Sequence, residues 1–410
     1  MRIQRFLNEL CIFKHRASTT ENEHRAGDHV YQLMRSIGLV ASIEEFKSQK
    51  RMAWEMIAIL MFFMAEVIFY FSNSSLSVVS GFLGLILFWG YFTTRFKPLS
   101  PLFNFSKSRN IIGKINNPDA SFKIVFTAHY DTARSGFLWN PKRVASFRFN
   151  FLSGFSFIIL LFVFVILKPA GIEHSIISLL VILIGGVIIG QILIQLISVF
   201  SGKPVNGASD NASGVAAMLD LAAKFKENHL PEIEYWFVAT GSEEVGAIGM
   251  KDFLKKHKDD FDKENTYFIN LDNIGSGNLH YYLGEGMLNF YRFSRELIEA
   301  AKKAASLKKF NQVTPAKYRL AYTDAIVPAS RGYKSILFLA TDDRGMIPNW
   351  HWETDTTENI DFKVPKLASN FIQKMVTNLY QILKDKIELN KKDMKQIQER
   401  LSSTDEFADY

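Results

Sequence analysis

Four apolar runs, arranged as two tight pairs, constrain the fold of this chain more than any other feature. Met52–Ser72 is apolar almost throughout, and Leu76–Thr94 follows after the short polar turn Asn73-Ser74-Ser75. Phe149–Lys168 and His174–Phe200 make the second pair, with Gly185, Gly186 and Gly190 inside the last run. A segment of about 17–25 apolar residues can cross the hydrocarbon core of a bilayer. All four runs qualify, the second least comfortably. The other reading, buried core helices of a water-soluble protein, needs four apolar runs in tight hairpins, which are rare outside membranes. The expectation is four transmembrane α-helices in two hairpins. The first 30 residues are not expected to be a signal peptide, because Arg5, Asn8, Glu9, Lys14, His15 and Arg16 interrupt any apolar stretch.

Basic residues near the ends of the runs give an orientation. Lys47, Lys50, Arg51, Arg95, Lys97, Lys142, Arg143, Arg148 and Lys203 lie on the side of the long polar segments, and only Lys168 lies on the side of the short turns. The long segments are therefore expected in the cytoplasm, with both termini, in a multi-pass protein of a bacterial inner or cell membrane. The same residues account for much of the net charge of +7, so the expected partner is the lipid bilayer and not nucleic acid. A single cysteine, Cys11, excludes an internal disulfide and a cysteine-based zinc site. Any metal must be held by His, Asp and Glu. Two acidic residues fall inside the first run. Glu55 is near its end and is expected to snorkel to water. Glu66 lies deeper, where helix packing, a protonated carboxyl near the outer interface and a functional role all remain open.

The polar remainder falls into residues 1–51, 95–148 and 201–388, followed by a charged tail, 389–410. The first three are read as one domain interrupted by hairpins at 52–94 and 149–200. Thr20-Glu21-Asn22-Glu23 has the pattern of a capping box opening a helix that Gly38 would end. Beyond it, strands are expected at Lys123–Ala128, Ile233–Ala239, Thr266–Leu271 and Ser335–Ala340. Helices are expected at Asn211–Asn228, Val245–Lys256, Met287–Ser306 and Phe362–Lys386. This alternation predicts an α/β fold, a mixed sheet flanked by helices.

Ligands of open α/β sheets sit at the carboxyl ends of strands, and the polar clusters fall there. His129-Tyr130-Asp131 follows the first of these strands, and Asp210 precedes a helix. Glu243-Glu244 follows the second strand, Asp272-Asn273 ends the third, and His351 with Asp355 follows the fourth. Each alone has a structural reading. Asp210 could cap a helix, Glu243 and Glu244 could favour a helix dipole, Asp272 could serve a turn, and His129 could be a hydrogen-bonded core histidine. His229 and His257 are read as surface residues. Together, two His and three carboxylates suit a hard-to-borderline metal such as zinc, with a position left for water. Two such ions need a bridging carboxylate, and they activate a shared water while polarising a carbonyl. One further carboxylate must stay free to take the proton, and neighbouring Glu243 and Glu244 suit that division. Asp131 can hold the His129 imidazole from behind.

The stretches TAHYDT, GASDNASGVAAMLDLA, TGSEEVGAIG, NLDNIG and HWETDTTENID resemble, in order, the two-zinc exopeptidase family that includes bacterial leucine aminopeptidases and glutamate carboxypeptidase II. The likeness covers roughly residues 20–51 and 95–385. Any one stretch is a weak signal, and five in order are specific. It implies two Zn2+ ions, with Mn2+ or Co2+ as alternatives. His129 and Asp272 would hold one ion, Glu244 and His351 the other, and Asp210 would bridge them. Glu243 would be the general base and Asp131 would orient His129. The peptide bond after the bridging Asp is often cis in the family. Tyr322 or Tyr130 is a candidate to steady the oxyanion.

The hairpins depart from the family's mostly continuous catalytic domain. The second falls between His129 and Asp210. About ten residues join the fourth run to Asp210, at most ~35 Å when extended, so the metal centre is expected near the cytoplasmic membrane surface. The implied function is a membrane-integrated zinc aminopeptidase acting on peptides at that surface, themselves membrane-associated or not. The alternatives are a carboxypeptidase or dipeptidase, a glutaminyl cyclase, a non-catalytic assembly subunit, and a transporter carrying this domain. Homo-oligomers are compatible with the sequence.

Overall fold

The computed structural model describes residues 2–405, with side chains to residue 385. The chain opens with helices α1 (Arg2–Cys11) and α2 (Glu21–Ser36). The capping box at α2 is present. The Thr20 hydroxyl accepts the Glu23 N–H at 3.3 Å, and the Glu23 carboxylate accepts the Thr19 N–H at 2.5 Å. Gly38, in the left-handed region at φ 88°, ends the turn after the helix.

Strand β1 (Val40–Ser48) follows. Its antiparallel partner β2 (Ser106–Ile115) is reached only after helices α3 (Ala53–Tyr70) and α4 (Ser74–Phe92). The ladder runs from Val40 opposite Lys114 to Ser48 opposite Ser106, so the first hairpin is inserted into the turn of a β-hairpin. Strand β3 (Phe122–His129) leads to helices α5 (Phe147–Leu167) and α6 (Ser175–Ser201). Then come α7 (Ser213–Glu227), β4 (Ile233–Thr240), α8 (Ile248–Lys256) and β5 (Thr266–Leu271). The last part holds β6 (Asn278–Glu285), β7 (Tyr291–Arg292), α9 (Arg295–Ala305), β8 (Thr314–Tyr318), α10 (Ile326–Ala329), β9 (Lys334–Thr341) and α11 (Lys363–Asp405). Side chains of the charged tail at 389–410 lie outside the described residues.

The nine strands form one mixed sheet in the order β1-β2-β4-β3-β5-β9-β6-β7, with β8 beside β6. Its centre, β4-β3-β5-β9, is parallel. The carboxyl ends of these four strands therefore open on one edge, which carries His129, Gly241, Asp272 and the loop to His351. Both faces of the centre are covered, as parallel strands require. Ile124, Phe126 and Ala128 join the core under α1, α2, α7, α9 and α11. Val125, Trp236, Val238 and Phe268 join a second core under α8 and α10. The α/β fold with a helix-flanked mixed sheet is thus observed.

Among the described residues, four helices, α3 to α6, are long and apolar enough to cross a membrane. They share a core built from Ile59, Phe63, Phe88, Leu161, Ile184 and neighbours. Their outer faces leave Leu83, Val163, Leu193 and similar side chains exposed, an arrangement that calls for an apolar surrounding.

Several expectations need correction. The helix read from Met287 begins only at Arg295, because Met287–Ser294 forms a turn and the short β7. The helix read from Val245 begins at Ile248. Glu55 does not snorkel. It is 1% exposed and accepts hydrogen bonds from Ser100 Oγ at 2.7 Å and Gln49 Nε2 at 3.3 Å. Glu66 is fully buried with its carboxylate over Gly81 of α4. His257 is half-buried between Glu44 and Asp260 and lies off the strand-end edge, while His229 is exposed.

Candidate metal centre

The strand-end edge brings the five candidate ligands together. Asp210 sits in the middle. Its Oδ1 lies 3.2 Å from His129 Nε2, and its Oδ2 lies 3.1 Å from His351 Nε2. On the outer side of each imidazole stands one more carboxylate. Asp272 Oδ1 is 3.5 Å from His129 Nε2, and Glu244 Oε2 is 3.1 Å from His351 Nε2. Two donor sets therefore meet on the two oxygens of one aspartate. Donors 2.0–2.1 Å from a tetrahedral zinc stand about 3.3 Å apart, close to the spacings here. Asp210 Oδ2 and Glu244 Oε1 are buried without a hydrogen-bond partner among the described residues. Buried acceptors of that kind fit a cation, and a His and carboxylate set without sulfur fits zinc, manganese or cobalt.

The electrostatics of the protein alone say the same. Burial works against charge on His351, but Glu244 and Asp210 outweigh it and hold the imidazole up at about 10. His129 is likewise raised, against its own burial, by Asp272, Asp131 and Asp210. Glu244 is raised to about 7 and Glu243 well above the usual carboxylate range, both chiefly by burial. So much negative charge at one buried point needs protons or metal ions.

Backbone conformation sets these side chains. Ser242, Asn273 and His351 are left-handed at φ 55°, 48° and 51°. Such conformations cost about 1–3 kcal/mol each and persist only where the surroundings enforce them. The Asp210–Asn211 peptide is cis. Two further carboxylates tie down the loops. Asp131 accepts the N–H groups of Glu243 at 2.9 Å and Glu244 at 3.2 Å. Asp355 accepts those of Ser209 at 2.7 Å and Asp210 at 3.1 Å. Asp131 meets His129 differently from expectation. Its backbone oxygen lies 3.1 Å from His129 Nδ1, and its carboxylate lies 3.6 Å away because it faces the Glu243 loop.

Arg16 is not among the expected site residues. It is wholly buried and donates to the backbone oxygens of Tyr130 at 2.7 Å, Asn206 at 2.8 Å and Gly207 at 2.8 Å. It thus clamps the His129 loop to the Asp210 loop. Asp324, also unforeseen, is buried nearby and accepts from the Thr240 hydroxyl. Tyr130 points away from the centre, with its hydroxyl on Arg109 O, so it is no oxyanion candidate. Tyr322 does line the site, and so does Tyr318. Trp139, from the segment leading into α5, sets its ring 4.2 Å from that of His351.

These groups line one end of a cavity of about 620 Å3 whose other end runs between α3, α4, α5 and α6. Glu243 opens onto it beside the cluster.

Residues 195–376 match peptidase family M28. Over those residues, a little under half of its length, the chain is similar to that family. Its likeness to solved structures extends further. A zinc aminopeptidase from Bacillus subtilis aligns over 92% of this chain and 93% of its own length, at 15% identity and a TM-score of 0.54. A glutaminyl cyclase from Tannerella forsythia aligns over 91% and 96%, at 16% identity and a TM-score of 0.56. Both show a shared fold. Among curated proteins, the alkaline phosphatase isozyme conversion protein of Escherichia coli (strain K12) is 40% identical over 81 residues, 20% of this chain and 23% of that one. The chain spans about a quarter to a third of the length of the curated relatives it matches. The ligand candidates Asp210, Glu244, Asp272 and His351 all lie within the residues that match the peptidase family.

Proposed function

We propose that the protein is a membrane-integrated aminopeptidase with two zinc ions, acting on peptides at the cytoplasmic membrane surface. The observation that carries this reading is the meeting of two donor sets on Asp210. His129 and Asp272 would hold one ion, His351 and Glu244 the other, with Asp210 shared. Zinc bound there would polarise the scissile carbonyl and make water a better nucleophile.

The remaining work falls to this chain's own groups. Glu243 lines the cavity and stands in none of the close donor pairs around Asp210. Burial raises the affinity of its carboxylate for a proton, which suits a group that takes a proton from water and returns it to the leaving amine. Asp131 fixes the backbone on which Glu243 stands, and Trp139 and Trp350 wall the His351 side against solvent. The membrane reading rests on helices α3 to α6, and the cytoplasmic side on the excess of Lys and Arg at their domain-facing ends.

The test is hydrolysis of a panel of free-N-terminus, N-blocked and Gln-leading peptides by the zinc-loaded protein, wild type beside Glu243→Gln. Cleavage of free-N-terminus peptides alone, lost in the variant, is expected. Release of ammonia from Gln-leading peptides without hydrolysis would make the protein a cyclase instead. A protease-accessible tag at the C-terminus of spheroplasts, if digested from outside, would overturn the cytoplasmic assignment.

A further inference from the structure

The cavity that begins at the metal cluster does not stop at the domain surface. Its walls continue with Leu60 of α3, Phe88 of α4, Phe155 and Ile158 of α5, and Gln191 and Gln195 of α6. Leu60 is seven residues into α3, Ile158 eleven into α5, and Gln191 ten before the end of α6. At about 1.5 Å per residue the cavity follows the helices for about 10–16 Å. That is roughly half of a hydrocarbon core of about 30 Å.

The walls there are mostly apolar; of the polar side chains that α5 and α6 add, Asn150 and Ser198 are paired within their own helices. Gln191 and Gln195 lie one turn apart on α6, and their amides make no hydrogen bond among the described residues. Gly154 of α5 faces Gln191 so closely that a Cβ at that position would stand 2.7 Å from Gln191 Nε2, so the glycine leaves room for the amide. Unpartnered amides inside an apolar bundle are costly, and they find a use if something polar lies against them. An acyl chain offers nothing to bind. An extended peptide offers one N–H and one C=O per residue, and in a bilayer each of these needs a partner.

We infer that this lower part of the cavity holds an extended apolar peptide segment, the residues that follow the scissile one. The substrate class is then a peptide whose free N-terminus emerges at the membrane surface while its next residues remain at bilayer depth. At about 3.3 Å per residue, about three to five residues fill the passage. Their side chains meet the Phe, Leu and Ile walls and their backbone meets Gln191 and Gln195. This rests on the aminopeptidase reading for the direction of the chain, not for the existence of the passage.

The experiment uses the full chain, zinc-loaded, in lipid nanodiscs, with three probes of equal N-terminal residue. One is a short polar tripeptide, one an octapeptide with apolar residues from position 2 onward, and one a polar tripeptide carrying a C-terminal palmitoyl chain. The apolar octapeptide should exceed the tripeptide in kcat/KM by at least about tenfold. The double substitution Gln191→Leu with Gln195→Leu should cut that ratio about tenfold, as expected for the loss of about two modest hydrogen bonds. Gly154→Leu should cut it by plugging the passage. Val163→Leu, on an exposed outer face of α5, should leave it unchanged and controls for general damage to the helices.

A binding readout separates the two claims. An apolar octapeptide with benzoylphenylalanine at position 4 is irradiated with the Glu243→Gln protein, and the adduct is mapped. Attachment to α3, α5 or α6 near Leu60, Phe155 or Gln191 supports the inference even if no peptide is hydrolysed, in which case only the aminopeptidase reading falls. Equal kcat/KM for short and long peptides, with attachment elsewhere, overturns the inference and leaves the aminopeptidase standing. Preference for the palmitoylated probe, unaffected by the glutamine substitutions, overturns it in favour of a lipid occupant.

Discussion

The two ends of the one cavity are built on opposite plans. At the domain end the functional groups stand at or just past strand ends, mostly on irregular backbone: His129 is the last residue of β3, Glu243 and Glu244 hang from a loop held by Asp131, and His351 is left-handed. At the helix end Leu60, Phe88, Phe155 and Ile158 project from uninterrupted α-helices, and their positions follow from helical period alone. Holding two ions and a base, as proposed, would fix positions to fractions of an ångström, so special conformations are tolerated. Sorting substrates by apolar contact needs only a shape, which cores achieve with many sequences. Damage at the first end should therefore strike all substrates, and damage at the second should only change their ranking.

The sharpest test of this contrast is Glu243→Gln. It should lower kcat by about 10³-fold for short and long peptides alike, with the zinc content by elemental analysis unchanged. An effect confined to one substrate would break the comparison. Next comes Asp355→Asn, which changes no ligand candidate itself but loses one of the acceptors for the Ser209 and Asp210 N–H groups. Zinc affinity should fall about 10–100-fold, as for other outer partners of metal ligands, measured by competition with a chromophoric chelator. An unaltered affinity would mean that the Asp210 loop holds itself.

The pH dependence of zinc binding comes third. His351 is held up at about 10 in the metal-free protein, so it carries a proton at pH 7 that zinc must displace. Affinity should rise with pH up to that point, by about tenfold per unit for each proton displaced. A flat profile between pH 6 and 8 would contradict the raised imidazole. The smallest effect is expected at the other end. Leu60→Ala or Phe155→Ala should raise KM for an apolar octapeptide several-fold, consistent with the loss of about 1–2 kcal/mol of apolar contact, with kcat unchanged. A fall in kcat would erase the distinction between the ends.

The same contrast explains what could be read from the sequence. The parallel centre of the sheet was legible because its strands are buried on both faces, so Lys123–Ala128 and Ser335–Ala340 read as apolar runs. The outer strand β1, ASIEEFKS in its last eight residues, alternates charge with apolar residues and has no such signature. The ligand candidates were legible because they sit in short, ordered stretches at those strand ends. Arg16 was not, since a charged residue among Lys14 and His15 looks solvated until Tyr130, Asn206 and Gly207 close around it. Glu55 was misread for the converse reason. Its distance from a helix end suggested water, whereas Ser100 and Gln49, from segments on either side of the first hairpin, reach it first.

The pairing of β1 with β2 fixes an order of events. Ser48 and Ser106 face each other across everything between residues 49 and 105, a loop whose closure in a free chain would cost several kcal/mol of entropy. A hairpin already seated in a bilayer delivers its two ends side by side, so the ladder needs only to zip. Strand β4, which lies between β2 and β3, emerges after the second hairpin as well. If α3 to α6 span a bilayer, the sheet is the last part of the molecule to close, and the bilayer would be the jig on which the domain is assembled before it became, on the proposed function, the surface on which it works.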